Sequence, residues 1–190
     1  MTNGPLPLLV HASAPAAAHG MEGTIARAGP GRLKAHWRLQ ADLSGLRIPE
    51  SGPVRFTVGL WEHTCFELFA RAPGSPAYFE FNASPSRSWA AFAFSDYRVG
   101  RIPRSDLTPP AIAVSAAAGG LTVESLITLP PELAGTAPPA LELALAAVIE
   151  DATGALSYWA LAHPGPRPDF HHPRSFAARL ERPVGPRDLP

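Results

Sequence analysis

Short stretches of alternating apolar and polar residues follow one another along the chain, and turn-forming residues separate them. Alternation with a period of two is typical of strands that bury one face. Clusters of Gly, Pro, Asp and Ser between the stretches favour tight turns. The pattern predicts about ten strands among the segments 6–11, 23–28, 33–41, 55–60, 61–70, 77–83, 89–97, 111–117, 121–129, 141–149 and 156–162.

Two of these segments define local structure most clearly. Segment 139–150 is rich in Ala and Leu, which favour helix, but Leu141, Leu143 and Leu145 keep a period of two and predict a strand. Gly119-Gly120 lies between two alternating segments and predicts a hairpin with a type I′ turn. Many short strands without long helices between them predict an all-β fold, a single-domain antiparallel β-sandwich with little helix.

The size of the chain, 190 residues, fits one domain. We predict that the domain spans residues 1–180 and that residues 181–190 form a disordered tail. Sixteen basic and sixteen acidic residues give no net charge, which argues against nucleic acid as a partner. The longest apolar stretches, such as 141–149, are far shorter than the roughly 20 residues of a membrane helix, so no membrane span is predicted.

Cysteine and histidine usage narrows the chemistry further. Cys65 is the single cysteine, so it forms no internal disulfide, and no Cys/His spacing suits a structural zinc ion. We therefore predict a cytoplasmic protein without a metal site.

The hairpin over residues 60–82 combines aromatic and acidic side chains on one face. A turn centred on Pro73-Gly74 would place Glu67 opposite Glu80 and Cys65 opposite Asn82. Like charges opposite each other destabilise a sheet unless an Arg, a cation, a shared proton or ligand hydroxyls compensate them. An exposed face with Glu–Arg ion pairs would have the same pattern. The residues predicted to share this face are Trp61, His63, Glu67, Tyr78, Glu80 and Asn82.

Four sequence blocks resemble the signature blocks of bacterial DOMON-like domain proteins, which are relatives of the family-9 carbohydrate-binding modules. The blocks are WEHTCFELF (61–69), YFEFNASP (78–85), YWALAHP (158–164) and PDFH (168–171). The resemblance implies a β-sandwich of a kind that binds sugars or haem. In the sugar-binding modules a Trp stacks on the sugar and a Glu binds its hydroxyls, roles that the resemblance gives to Trp61 and Glu67. Trp159 and Phe170 are candidates for a second stacking aromatic.

These observations predict a non-catalytic domain that binds a sugar or a similar small polar ligand, because aromatic rings and carboxylates together suit a sugar ring. No resident cofactor is predicted. The alternatives are a haem-binding redox domain with His63 or His163 as ligand, and a protein-interaction domain; a homo-oligomer is compatible with the sequence. The predicted ligand-binding residues are Trp61, His63, Glu67, Tyr78, Glu80, Asn82, Arg98 and His163.

Overall fold

The computed structural model describes residues 4–13, 17–135 and 140–182. Within these ranges the chain is mostly β, with a four-residue helix α1 (Pro131–Ala134) and short 3-10 helices at Leu43–Gly45, Leu60–Glu62 and Pro173–Ser175. No helix in the described ranges is long and apolar enough to cross a membrane. Most of the tail predicted over 181–190 lies outside the described residues.

Strands account for most of the described chain. In chain order they are Leu6–Val10 (β1), Gly20–Arg27 (β2), Arg32–Gln40 (β3), Arg55–Phe56 (β4), Cys65–Arg71 (β5), Tyr78–Ala83 (β6), Ser88–Phe94 (β7), Ile102–Pro103 (β8), Ala111–Ala117 (β9), Gly120–Thr128 (β10), Leu141–Glu150 (β11), Leu156–Ala160 (β12) and Ala178–Leu180 (β13).

One continuous, curled sheet connects these strands into a half-barrel. Its order is β4-β7-β6-β5-β11-β12-β1-β2-β3-β10-β9, with β13 added beside β11 and β8 beside β7. The predicted all-antiparallel sandwich differs in two respects. The β4–β7 pair is parallel, and β1 joins the two halves of the sheet because Leu8 pairs with β2 while Leu9 pairs with β12.

The two halves of the curled sheet pack on each other through their inner faces. Trp37 on β3 and Phe66 on β5 are both buried, with ring centroids 5.7 Å apart. A Cβ atom at Gly23 would lie 2.7 Å from Leu145 Cδ1 and 3.0 Å from the His36 carbonyl oxygen, so a larger residue there would displace the Leu145 side chain. Apolar burial between the halves is the main force that holds the curl.

The strand β11 is buried on both faces, which explains its composition. Leu141, Leu143 and Leu145 belong to the core between the halves, whereas Ala144 and Ala146 belong to a second cluster on the outer face. A strand of this kind is apolar throughout, so the prediction of a strand rather than a helix is confirmed.

The segment around residues 55–64 departs from the predicted strands. The strand there is limited to Arg55–Phe56, because Gly59 adopts a left-handed φ of 87° and precedes the 3-10 helix Leu60–Glu62. The strand β5 therefore begins at Cys65 rather than at residue 61. Trp61 and His63 lie before this strand, so the alternation of strand side chains does not apply to them.

The predicted hairpin between β9 and β10 is confirmed, but its turn is centred one residue earlier than predicted. Ala117 pairs with Gly120, which leaves Ala118 and Gly119 as the central residues. Gly119 has a φ of 90° and Ala118 has no positive φ. A type I′ turn needs positive φ at both positions, so that turn type is wrong.

Candidate functional site

A cavity of about 590 Å³ opens on the outer face of the half-sheet that contains β5, β6, β11 and β12. Its volume falls in the range of roughly 300–1,000 Å³ that small-molecule sites occupy. The 3-10 helix Leu60–Glu62, the loop 95–101 and the segment 164–172 complete its wall. The lining residues are Trp61, Glu62, Glu67, Glu80, Phe94, Arg98, Arg101, Val148, Leu156, Tyr158, Pro168, Phe170 and His171.

Two buried carboxyl groups lie together on the floor of this cavity. Glu67 is 3% exposed and Glu80 is 4% exposed. The strands β5 and β6 pair Glu67 with Asn82 and Phe69 with Glu80, so the predicted direct Glu67–Glu80 pairing was wrong by two residues. Because side chains alternate with a period of two, this shift keeps both carboxyl groups on the same face as diagonal neighbours.

Glu80 has one hydrogen-bond partner and one polar neighbour. Asn82 Nδ2 donates a hydrogen bond to Oε1 at 2.6 Å, and His171 Nε2 lies 3.7 Å from Oε2. Burial raises the pKa of Glu80 to about 7, although the Asn82 hydrogen bond and the positive charges of Arg101 and Arg98 oppose the rise. The carboxyl group of Glu80 therefore changes its charge near neutral pH.

Glu67 has less support than Glu80. Its Oε1 atom is buried and has no hydrogen-bond partner among the described residues. Burial raises the pKa of Glu67 well above its usual range, and the Glu80 carboxylate raises it further, while Arg98 lowers it. Burial therefore favours the protonated form of Glu67 over its carboxylate.

A chain of hydrogen bonds holds His171 beside Glu80. The Arg98 backbone N–H donates to the Tyr78 hydroxyl at 3.2 Å, and this hydroxyl lies 2.8 Å from His171 Nδ1. Burial lowers the pKa of His171 to about 4, and the charge of Arg98 lowers it further, so the imidazole is neutral at neutral pH. With the Tyr78 proton donated to Nδ1, the imidazole proton resides on Nε2 and faces Glu80.

Asp169 fastens the segment 164–172 to the loop 95–101. It accepts hydrogen bonds from Arg98 Nη2 at 2.8 Å, from the Tyr97 hydroxyl, and from the His171 backbone N–H at 3.1 Å. Burial alone would raise the pKa of Asp169, but hydrogen bonds from Tyr97 and Arg98 outweigh it and hold the pKa below its usual value. Arg98 has a left-handed φ of 57°, which these contacts on its backbone and side chain maintain.

Aromatic side chains form the upper wall of the cavity. The rings of Tyr158 and Phe170 are 6.2 Å apart. The Arg101 guanidinium lies 5.6 Å from the Trp61 ring centroid and 5.2 Å from that of Phe92. Flat apolar rings above polar groups can hold a ring-shaped ligand that has apolar faces and a polar edge.

The structure brings four of the eight predicted ligand-binding residues to the cavity: Trp61, Glu67, Glu80 and Arg98. Tyr78 and Asn82 are buried behind this surface, where they position His171 and Glu80. His63 and His163 do not line the cavity. His63 Nδ1 lies 2.7 Å from Glu150 Oε2, and His163 Nε2 donates to the Leu9 carbonyl oxygen at 2.8 Å.

Most of the remaining wall came from residues that the sequence did not single out as ligands. Tyr158 lines the cavity, whereas its neighbour Trp159 is buried and donates from Nε1 to Ser157 Oγ at 3.1 Å. Adjacent residues of a strand point to opposite faces, so Tyr158 and Trp159 on β12 place one ring on each face. The sequence does not show which of the two rings faces the cavity. Arg101 and His171 lie in segments without alternation, where the sequence has no comparable signal.

The described ranges contain no group of three or more His, Cys, Asp or Glu side chains that could hold a metal ion. Cys65 is fully buried below the cavity floor. Burial raises the pKa of its thiol, and Glu67 and Glu80 raise it further, so the sulfur is held as an unreactive thiol.

No protein-family model and no curated protein sequence matches this chain. Solved structures of similar shape exist. One is a protein from Bacteroides uniformis provisionally assigned to carbohydrate binding, with a TM-score of 0.68 and 16% identity over 93% of this chain and 84% of that chain. Another is a family-9 carbohydrate-binding module from Caldicellulosiruptor kristjanssonii in complex with cellotriose, with a TM-score of 0.54 and 9% identity over 93% and 82% of the two chains. These likenesses show a fold of the family-9 module type.

Proposed function

We propose that this protein is a non-catalytic sugar-binding domain of the DOMON-like type and that its ligand occupies the cavity over Glu67 and Glu80. The observation that supports this proposal is the pairing of two buried carboxyl groups with a wall of aromatic rings in one open cavity. A sugar has apolar C–H faces that stack on rings and hydroxyls that bond to carboxyl groups.

The geometry suggests how each part of the wall would act. Trp61, Tyr158 and Phe170 offer ring surface for the C–H faces of a pyranose. Glu67 and Glu80 lie deeper, where they would bond ligand hydroxyls away from water and therefore more strongly. The similarity in fold to a module solved with cellotriose is a reason to test sugars first.

Thermal unfolding in a panel of monosaccharides and cellobiose tests the proposal. A ligand present at 100 times its Kd should add about 2.7 kcal/mol to the free energy of unfolding, which appears as a clear rise in Tm. Trp61→Ala and Phe170→Ala should abolish the rise because they remove stacking surface. Val114→Ala, on β9 in the other half of the sheet, should keep it.

Two outcomes would contradict the proposal. If no sugar in the panel raises the Tm of the unaltered protein, the proposed function is wrong. If a sugar raises the Tm equally in Trp61→Ala, Phe170→Ala and the unaltered protein, the ligand binds outside this cavity.

A further inference from the structure

We infer that the cavity selects a sugar that carries a protonated amine, whose ammonium group binds between the carboxyl groups of Glu67 and Glu80. This inference rests on the proposed sugar-binding function and names the ligand class for the same site. It follows from a buried acidic pair with which no Arg or Lys of the described residues forms an ion pair.

The first observation is the set of partners that the two carboxyl groups have. In the described ranges neither of them forms an ion pair with Arg or Lys, and the one ionisable nitrogen recorded against Glu80 is His171 Nε2 at 3.7 Å, on a neutral ring. Arg98 is bound to Asp169, and Arg101 lies over the rings of Trp61 and Phe92. Each arginine thus contacts another group directly, and its charge acts on the pair only from a distance.

The second observation is the unpartnered oxygen of Glu67. This side chain is 3% exposed and lines the cavity, yet Oε1 has no hydrogen-bond partner within the described residues. A buried acceptor without a donor is costly. A ligand group that donates to Oε1 therefore completes the site.

An ammonium group suits this position better than a hydroxyl group. A hydroxyl donates one hydrogen bond and is uncharged, so it satisfies one carboxyl oxygen at a time. An ammonium has three donors and a positive charge, so it bonds both carboxylates at once and cancels their repulsion. Charge-assisted hydrogen bonds of this kind are roughly twice as strong as neutral ones.

The charges around the pair also favour a cation. Glu62 adds a third acidic side chain to the cavity lining, against Arg98 and Arg101, and Asp169 already neutralises Arg98. An anionic ligand would meet a net negative site once the pair is ionised. The titratable groups that face the pair are Glu62, Cys65, Tyr78, Arg98, Arg101, Tyr158, Asp169 and His171.

Binding of an ammonium also changes the number of protons held by Glu67 and Glu80. Burial raises the pKa of both Glu67 and Glu80, which favours a pair that holds protons at pH 6. An ammonium that bonds two carboxylates displaces the protons that the pair holds to the buffer, and the sugar amine stays protonated. A neutral sugar leaves these protons in place.

Isothermal titration calorimetry with glucosamine, glucose and N-acetylglucosamine tests the inference. Titrations at pH 6 in two buffers of different ionisation enthalpy report the protons released. We expect glucosamine to bind at least about tenfold more tightly than glucose and to release protons to the buffer, whereas glucose releases none. N-acetylglucosamine, which has no charge, should gain nothing over glucose.

Isosteric variants locate the effect. Glu67→Gln should reduce the ratio of the glucose Kd to the glucosamine Kd to near one, and Glu80→Gln should reduce it as well. Glu124→Gln is the matched control, because Glu124 pairs with Lys34 on the other half of the sheet. It should keep the ratio of the unaltered protein.

The outcomes separate this inference from the proposed function. Equal affinity for glucose and glucosamine, or a preference that survives Glu67→Gln, overturns the ammonium site and leaves sugar binding intact. Absence of binding by all three sugars overturns the proposed function and the inference with it. If ethanolamine binds as tightly as glucosamine, the sugar ring contributes nothing to affinity. That result would contradict the sugar as the ligand class and support the ammonium site.

Discussion

Replacing Glu80 with Gln should raise the free energy of unfolding by about 3 kcal/mol at pH 8 and by much less at pH 5. The cause is the buried position of Glu80, which raises its pKa from the ordinary 4.5 to about 7. A carboxyl group whose pKa rises on folding stabilises the fold most below its unfolded pKa. That stability is lost as the pH climbs from about 4.5 through about 7.

The size of the effect follows from the shift, since each pKa unit corresponds to about 1.4 kcal/mol. Gln has the same shape as Glu and keeps an oxygen for the Asn82 hydrogen bond, but it has no charge to bury. Glu67→Gln should act in the same direction, because burial also raises the pKa of Glu67.

Urea unfolding at pH 5, 6, 7 and 8 measures this prediction as the difference between variant and unaltered protein. The comparison between variant and unaltered protein is needed because His171 changes the pH dependence of stability in the opposite direction. Burial lowers its pKa from 6.5 to about 4, so its contribution to stability rises with pH between these values and masks the loss from Glu80. A difference that stays constant from pH 5 to pH 8, or one matched by Glu124→Gln, would contradict the prediction.

Replacing Asp169 with Ala should lower the free energy of unfolding by about 2 kcal/mol and weaken ligand binding. Asp169 accepts hydrogen bonds from Arg98, Tyr97 and the His171 backbone. Hydrogen bonds to a charged group contribute roughly 1.5–3 kcal/mol each when buried. The Arg98 side chain is 51% exposed, so we reduce the sum for solvent screening.

Loss of these bonds releases the segment that brings Phe170 and His171 to the cavity. Faster proteolysis within residues 164–172 and a higher Kd for any bound sugar should accompany the lower stability. Asp106→Ala is the matched control, because Asp106 binds Arg104 at the exposed surface. Equal effects of the two substitutions would contradict the role of Asp169 as the connection between the two segments.

The strands and their faces were predictable from local pattern. In β5 and β6 the alternation places Phe66 and Phe81 in the core between the halves and Glu67 and Glu80 on the other face. That assignment survived a two-residue error in register because it depends only on the period of the strand. The register itself depends on the loop between the strands, whose geometry composition alone does not determine.

The sequence pattern did not predict where the chain leaves the strand geometry. Gly59 starts a turn that removes Trp61 and His63 from β5, so the strand pattern placed His63 at a site that it does not reach. Trp61 reaches the cavity from this turn. Its position depends on contacts with Phe92 and Arg101, which are distant along the chain.

By itself the sequence determined a β fold, the two faces of the central hairpin and the presence of two glutamates on one of them, because these follow from the geometry of a single strand. Only the tertiary structure decided that β12, the loop 95–101 and the segment 164–172 meet over these glutamates. It also decided their chemistry. The pKa of Glu67 and of Glu80 is raised mainly by burial, and burial is a property of the assembled fold that no single segment of the chain possesses.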